Sequence, residues 1–383
     1  MRTIKCVLLA MLCFVLVALP TNAQIDEKLY IHGFGGWAYG QTNGNRYQIG
    51  NDAGEFRNSQ FSLNLTALPS EKLTLNAQLH VETRLLTEKA ELDYAFFEWA
   101  FSDAIKIRMG QVKCPIGIYS EIYDVGTSRP FYSLPESIYG KKGIVNKSYL
   151  GIGITGNLFT KSGWGFAYDL YGGEMDLQEW TLQHVVEIPF MPYQMELFLN
   201  FTGYYEDMFG SRIVVYTPLQ GLSLGISGLT GKPNVFFNDE EDQNFFIPGT
   251  YNTIVLHSEY AKEPFSVRME YLNLSRAGEK GLEQNSFYLE ASFRFLDKWQ
   301  IAFLYDRVDY DHPLQPFDQS QYEHREYAFG LNYWVNPDFV LKTAFHRING
   351  NYFAFPESLL KAIMSGGLDH NTNLFTAGMQ FSF

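Results

Sequence analysis

A long alternation of polar and apolar side chains constrains this chain more than any other feature. From Lys72 to Leu85 every second residue is polar or charged, and the residues between them are apolar apart from one threonine. Because successive side chains of a β-strand point to opposite faces, this stretch predicts a strand with one polar and one apolar face. It is about twice as long as the ~5–6 residues of an average strand, and it reaches the ~9–11 residues of a tilted membrane strand. The length favours a membrane barrel over a soluble β-sandwich.

The same alternation recurs along the chain, in residues 193–201, 265–271 and 286–296. Aromatic residues make up 16% of the chain, yet after residue 20 no continuous apolar run has the length of a transmembrane helix. Apolar side chains outside and charged side chains inside are typical of a barrel with lipid around it and water within it. We therefore predict an all-β fold, a transmembrane antiparallel β-barrel of about sixteen to eighteen strands.

Short and long connections alternate between the predicted strands. Short turns are predicted at 68–72, 102–104, 160–163, 189–192, 217–221, 261–264, 296–298 and 336–338, and longer loops near 41–55, 85–89, 114–149, 173–179, 205–211, 231–250, 275–285, 309–324 and 349–371. Bacterial outer-membrane barrels combine short periplasmic turns with long external loops, and their strand number is even. This segmentation gives about eighteen strands, or about sixteen if the short pieces around 163–190 and 205–217 are merged.

The N-terminus predicts export. Residues 1–5 carry Arg2 and Lys5, residues 6–19 are apolar, and small residues end at Ala23. This is the order of a secretory signal peptide, so we expect cleavage after Ala23, which leaves residues 24–383 as the barrel. The formal net charge of −13 argues against nucleic acid as a partner, because phosphate binding needs a basic surface. Cys114 is the single cysteine of residues 24–383, so neither an intramolecular disulfide nor a cysteine zinc site is expected.

The sequence contains no catalytic, cofactor or metal motif. The eight histidines include no H-E-x-x-H pair, and no serine motif supports a hydrolase, so we predict that the chain is not an enzyme. A barrel enzyme remains an alternative, because a catalytic triad is recognised by geometry and not by its order in the chain. The pattern favours a barrel that passively conducts small hydrophilic solutes or ions. There are two alternatives to this function. The first is a substrate-specific channel for organic anions or sugars, with a stacking track of Tyr119, Tyr123, Phe131 and Tyr132. The second is a structural or adhesive barrel.

Residues 115–149 interrupt the alternation between two regular strands. This stretch has prolines at 115, 130 and 135, and it mixes charged with aromatic residues. A connection of this length without a periodicity of its own is usually functional. We predict that it folds into the lumen of the barrel and narrows the pore.

Two motifs in this region resemble a known family. Residues 110–117 read G-Q-V-K-C-P-I-G, and residues 124–130 read D-V-G-T-S-R-P. With the barrel pattern and the terminal Phe383, they resemble the trimeric porins of Gram-negative outer membranes, most closely the phosphate-selective and dicarboxylate-type group. The resemblance implies a homotrimer of sixteen-stranded barrels in the bacterial outer membrane, each with its third loop in the pore and with Asp124 and Arg129 in or near the constriction. The acidic composition differs from what a phosphate channel requires.

The candidate pore residues fall into two groups, and the first consists of charged side chains on predicted polar strand faces: Arg84, Lys106, Arg108, Arg268, Arg294, Glu270 and Glu290. The second belongs to the central stretch: Glu121, Tyr123, Asp124, Arg129, Lys141 and Lys142. Charges of both signs around one lumen set ion selectivity, and the alternative for each residue is an ion pair that stiffens the barrel. Phe383 resembles the C-terminal signal of outer-membrane barrels, so the barrel-assembly machinery, membrane lipid and lipopolysaccharide are expected partners.

Overall fold

The structure is a computed structural model, and it describes residues 28–56, 58–84, 87–140, 146–177, 180–187, 194–237, 240–246, 249–277, 283–311, 323–354 and 368–383. The signal peptide predicted at 1–23 lies outside these residues, as do Lys141 and Lys142. Nearly all of the described backbone is β-strand. None of the described helices is long and apolar enough to cross a membrane.

The first nine strands are β1 (Leu29–Asn43), β2 (Ser59–Ser70), β3 (Leu73–Arg84), β4 (Thr87–Ser102), β5 (Ile105–Lys113), β6 (Ser148–Phe159), β7 (Gly165–Asp176), β8 (Trp180–Glu187) and β9 (Gln194–Tyr216). The other nine are β10 (Leu222–Phe237), β11 (Glu240–Phe246), β12 (Tyr251–Lys262), β13 (Phe265–Arg276), β14 (Glu283–Phe295), β15 (Trp299–Asp311), β16 (Glu323–Asn336), β17 (Phe339–Asn349) and β18 (Asn371–Ser382).

Sixteen of the eighteen strands form a closed antiparallel barrel. The first and last strands, β1 and β18, pair from Phe34 with Ser382 to Asn43 with Asn373, which closes the sheet. The wall bypasses β8 and β11, because β7 pairs directly with β9 and β10 pairs directly with β12. Instead, β8 pairs with the start of β9 and β11 pairs with the end of β10, and these paired parts extend beyond the wall. The predicted all-β membrane barrel is confirmed, with sixteen strands in the wall.

Short turns and both described chain ends lie at one end of the barrel, which we call the turn end, and the longer connections lie at the other, the loop end. One of the predicted loops is not a connection. The loop predicted near 205–211 lies within β9, which continues through a left-handed residue at Asp207 and a register shift opposite Thr230 and Lys232. Such a bulge interrupts the alternation without ending the strand. The turn predicted at 189–192 lies outside the described residues.

The barrel wall has its apolar face outside. Along β17, Leu341 and Phe345 are exposed, whereas the residues that follow them, Lys342 and His346, are buried in the interior. The exposed band includes Leu75, Ile152, Ile154, Ile213, Ile226, Ile254, Leu256, Ile301 and Phe329. This arrangement is what a lipid-surrounded wall requires, since lipid replaces the apolar core of a soluble protein on that side.

Aromatic residues concentrate at the turn end of the outer surface. Trp99, Trp164 and Trp299 are exposed there, close to the short turns, as an interfacial aromatic band requires. Trp334 does not join this band, because it is nearly buried and its indole NH donates to Gln300. The terminal Phe383 exchanges backbone hydrogen bonds with Gly33, at 3.0 Å in both directions, so the chain end belongs to the wall.

Candidate functional site

We call the chain between β5 and β6, residues 114–147, the inner segment, and its described residues, 114–140 and 146–147, lie in the interior of the barrel. The predicted bounds, 115–149, extend two residues into β6. The described part contains two 3₁₀ turns, Ser120–Ile122 and Gly126–Ser128, and the one-turn helix α1 (Glu136–Tyr139). Ile116, Phe131 and Ile138 are almost wholly buried, because they pack against side chains of the inner wall. The segment therefore folds inward, as predicted for the constriction loop.

The entry of the inner segment into the lumen depends on Gly117. Its φ of +66° is in the left-handed region, and an added Cβ would lie 2.4 Å from Glu270 Oε1. This close approach lets the amide of Ile118 donate to Glu270 Oε1 at 2.7 Å. The hydroxyls of Tyr139 and Tyr288 donate to Oε2 of the same carboxylate, at 2.6 and 2.7 Å. Glu270, a predicted pore residue, thus anchors the segment and is 1% exposed.

A second anchor joins the inner segment to β12, β13 and β14. Arg268 donates from Nε to Glu259 at 2.6 Å, and its NH1 donates to the Tyr119 hydroxyl at 2.9 Å and to the Ser128 carbonyl at 3.1 Å. The Tyr119 hydroxyl donates to Glu290, which also lies 3.3 Å from Arg268 NH1. The structure therefore brings three predicted pore residues, Arg268, Glu270 and Glu290, to one side of the lumen as a network of ion pairs and hydrogen bonds.

Asp124 and Lys147 form a third anchor. Lys147 Nζ lies 3.0 Å from Asp124 and 3.2 Å from Asp93 of β4. Gln78 of β3 donates to both carboxylates at 2.8 Å, and His80 lies 3.7 Å from Asp124. Burial alone would raise the pKa of Asp124, but the ammonium of Lys147 and the His80 side chain outweigh it and hold this pKa below its usual range. Asp124 therefore remains ionised in the interior.

Asp93 is a site residue that the sequence analysis did not find. Gln78 pairs with Tyr94 and Leu79 pairs with Leu92, so Asp93 is the additional residue of a β-bulge. The bulge places both Asp93 and Tyr94 in the interior, where they are 5% and 4% exposed. A strict alternation assigns neighbouring residues to opposite faces, and for this reason it cannot predict two consecutive interior residues.

Glu121 joins the inner segment to β5 and β9. Arg212 of β9 contacts Glu121 at 2.6 Å and Asp169 at 2.9 Å. Arg108 of β5 lies 2.7 Å from Glu98 and 3.7 Å from Glu121. Burial alone would raise the pKa of the Glu121 carboxyl, but the two guanidinium groups, Arg212 foremost, outweigh burial and lower it. Arg212 was absent from the predicted set, although its charge is the nearest to Glu121.

The backbone of the inner segment binds a buried lysine of β17. Lys342 Nζ donates to the carbonyl oxygens of Gly126, Arg129 and Phe131, at 2.8, 2.6 and 3.3 Å, and to the side chain of Gln380. Arg129 itself is 5% exposed, and its NH1 donates to the carbonyl of Tyr123 at 2.7 Å. Arg129 therefore braces the segment from within, because its charge is directed at the backbone of the segment.

The remaining predicted residues lie apart from these anchors or outside the description. Lys106 lies 3.4 Å from Glu98 on the wall. Arg294 is near the turn end, where it pairs with the exposed Glu263 at 2.7 Å. Arg84 ends β3, and its side chain is outside the described part of the chain. The Tyr123 hydroxyl donates to the carbonyl of Tyr139, inside the segment.

Together these contacts attach the inner segment to the wall all round the lumen. Described hydrogen bonds or ion pairs join it to β3, β5, β9, β10, β13, β14, β15, β16, β17 and β18. Three residues of the predicted sugar-stacking track, Tyr119, Phe131 and Tyr132, are at most 8% exposed, and the fourth, Tyr123, is half-buried. The site is a charged and aromatic layer across the barrel.

The comparison with solved structures identifies the fold. An outer membrane channel, DcaP of Acinetobacter baumannii, superposes with a TM-score of 0.56 at 10% identity, over 93% of this chain and 97% of that one. The anion-selective porin from Comamonas acidovorans gives 0.55 at 10% identity, over 93% and 99%. OmpT of Vibrio cholerae in its trimer form gives 0.54 at 11%, over 93% and 100%. No family model matches the sequence, and no curated protein is significantly similar to it. The chain shares the fold of outer-membrane porins.

Proposed function

We propose that this chain is a porin of the bacterial outer membrane, through which small hydrophilic solutes or ions diffuse passively past the inner segment. One observation carries the proposal: the inner segment crosses the lumen and presents charges of both signs at its edge, with Asp124 facing Lys147 and Glu121 facing Arg212. Fixed charges at a narrow passage select among solutes by charge, and the remaining width selects by size. No chemical transformation is part of this role, and we infer that the protein is not an enzyme.

The proposal includes a homotrimer and the export route. The structural neighbour from Vibrio cholerae is described in a trimer form, and the sequence motifs resemble trimeric porins. Export by a signal peptide cleaved after Ala23, and assembly through the terminal Phe383, are consistent with a last strand that pairs into the wall. Phosphate or dicarboxylate selectivity is not part of the proposal, because each described basic side chain of the passage has a carboxylate or carbonyl partner.

Conductance across a planar lipid bilayer tests this function. We expect stepwise insertions in groups of three, and a reversal potential under a salt gradient that differs from zero because the passage is charged. The same protein unfolded by heating in detergent serves as the matched control and should give no steps. A folded barrel that inserts without conducting would refute the channel, and it would favour the structural or adhesive alternative.

A further inference from the structure

A cluster of two carboxylates and two histidines lies inside the barrel near the loop end, and its one described hydrogen bond to the inner segment runs from the amide of Ser137 to Asp306. Asp306 of β15 and Glu326 of β16 are directly opposite each other in the strand register. Both are 0% exposed, as is His324 of β16, and His346 of β17 is 3% exposed. Two like charges at directly opposed strand positions are destabilising, and burial adds the cost of desolvation. The cluster therefore needs a compensating positive charge.

No lysine or arginine nitrogen within the described residues lies within 4 Å of either carboxylate; their ion-pair partners are histidines. His324 Nε2 is 3.5 Å from Asp306 Oδ2 and 3.4 Å from Glu326 Oε2. A charge-assisted N–H···O bond is about 2.7–2.9 Å long, so one imidazolium proton does not account for both separations. Ligand atoms that lie about 2.0–2.1 Å from a tetrahedral zinc ion are separated from one another by about 3.3–3.4 Å. The distances of His324 Nε2 from the two carboxylate oxygens, 3.5 and 3.4 Å, fit this geometry.

The surroundings of the three side chains resemble the outer shell of a metal site. His346 Nδ1 bonds Glu326 Oε1, the Tyr47 hydroxyl donates to Glu326 Oε2 at 2.8 Å, and the amide of Ser137 donates to Asp306 Oδ2 at 3.1 Å. Such contacts orient ligands in metal proteins. The other oxygen of Asp306, Oδ1, is buried and has no hydrogen-bond partner in the described part of the chain. A buried carboxylate oxygen without a partner is costly, and a cation would satisfy it.

A second cluster, of two carboxylates and one histidine, provides a contrast. His80, Asp93 and Asp124 also bring three ligand atoms within 4.8 Å of one another. There, however, the ammonium of Lys147 already lies 3.2 and 3.0 Å from the two carboxylates. That cluster has its cation in the chain itself, whereas the cluster at Asp306 does not.

We propose that Asp306, His324 and Glu326 bind one divalent transition-metal ion of the zinc type. Imidazole and carboxylate ligands suit zinc and its neighbours in the first transition series. Asp306 Oδ1 or a water molecule would complete the coordination. Because Asp306 also accepts from Ser137 at the start of α1, the ion would fix the inner segment to β15 and β16. The sequence showed no ligand spacing, since the register of β15 and β16 and not one local motif brings the ligands together.

Zinc titration of the folded, chelator-treated wild-type protein tests the site. We expect one Zn²⁺ per chain, measured by calorimetry, with a dissociation constant below ~1 µM, which corresponds to about −8 kcal/mol. Binding should weaken as the pH falls towards 5, because protons compete for His324. His324→Gln and Asp306→Asn should each weaken it at least ~100-fold. The matched control, His80→Gln, removes a histidine of the other cluster and should bind zinc as wild type does.

Two results would overturn the proposal. Folded wild-type protein that binds no stoichiometric zinc would show that the histidines alone neutralise the carboxylates. Unchanged zinc binding in His324→Gln would place the ion elsewhere. If the variants do not fold, the absorption spectrum of Co²⁺ bound to wild type decides instead: intense visible bands of tetrahedral nitrogen and oxygen coordination support the site, and weak octahedral bands contradict it. Conductance plays no part in these measurements, so the result is independent of the channel function.

Discussion

Replacement of Lys342 by methionine tests whether the inner segment is held in place by its backbone. Methionine is close to lysine in length and volume, and it lacks the ammonium. The change removes three described bonds to the carbonyls of Gly126, Arg129 and Phe131, and one to Gln380. Lys342 belongs to the wall strand β17, whose backbone pairing with β16 and β18 does not involve the side chain. We therefore expect the barrel to fold and the segment to loosen.

The size of the effect follows from the carbonyl groups that lose their donor. A buried acceptor without a partner costs about 1–3 kcal/mol. The carbonyl of Gly126 keeps the amide of Arg129 as a donor, whereas those of Arg129 and Phe131 have no other described donor. At about 1.5 kcal/mol each, these two carbonyls give about 3 kcal/mol in favour of a released segment. Water in the lumen satisfies these carbonyls once the segment moves, so the released state does not carry this cost. At about 1.4 kcal/mol for each factor of ten, the ratio of released to docked segment rises roughly a hundredfold.

Single-channel recording measures this change. Lys342→Met should show frequent transitions to a higher conductance level that wild type visits rarely. Lys106→Met is the matched control, because Lys106 pairs with Glu98 on the wall at 3.4 Å and has no described bond to the inner segment. Folding of both variants is checked by their migration on unheated gels. Recordings of folded Lys342→Met that match wild type and Lys106→Met would refute the reasoning.

Three further substitutions and one pH series test the other anchors. Asp124→Asn removes a negative charge beside the passage, so the reversal potential under a salt gradient should shift towards anions, whereas Asp207→Asn, at an exposed site outside the lumen, should not shift it. Arg212→Gln leaves Glu121 without its 2.6 Å partner and should raise the frequency of conductance transitions in the same recordings. Gly117→Ala introduces a Cβ 2.4 Å from a carboxylate oxygen at a positive φ, so it should displace the segment entry and increase open-channel noise. The pKa values of Asp124 and Glu121 are both lowered, so their stabilisation is complete above the unfolded value of about 4 and is lost only as pH falls through the lower folded value. The difference in reversal potential between wild type and Asp124→Asn should therefore stay constant from pH 7 to about 4.5, and its loss near pH 6 would contradict this.

The barrel was predictable because its wall obeys a local rule. The alternation with period two, as in residues 72–85, arises because every second side chain of a wall strand faces lipid, and lipid surrounds the whole outer wall. The rule failed where the backbone departs from regular pleating, at the bulge that turns Asp93 inward and at Asp207 within β9. The partners of the inner segment were not predictable, since they come from strands far apart in sequence. No local signal distinguishes a lysine such as Lys342, which binds three carbonyls, from one that faces water.

The anchors of the inner segment determine where the segment lies, and they contribute less to the stability of the barrel. The wall is closed by backbone hydrogen bonds from β1 round to β18, and these do not depend on the interior charges. Partly buried ion pairs such as Glu121 with Arg212 repay their desolvation only in part, so they contribute little net stability. Their directional geometry selects one arrangement of the segment. A segment that only had to fill space would need apolar contacts alone, such as those of Ile116 and Ile138. The inner segment has more charged, directional contacts than this requirement explains. We infer that these contacts fix the exact placement of the segment, and thus the width and charge of the passage.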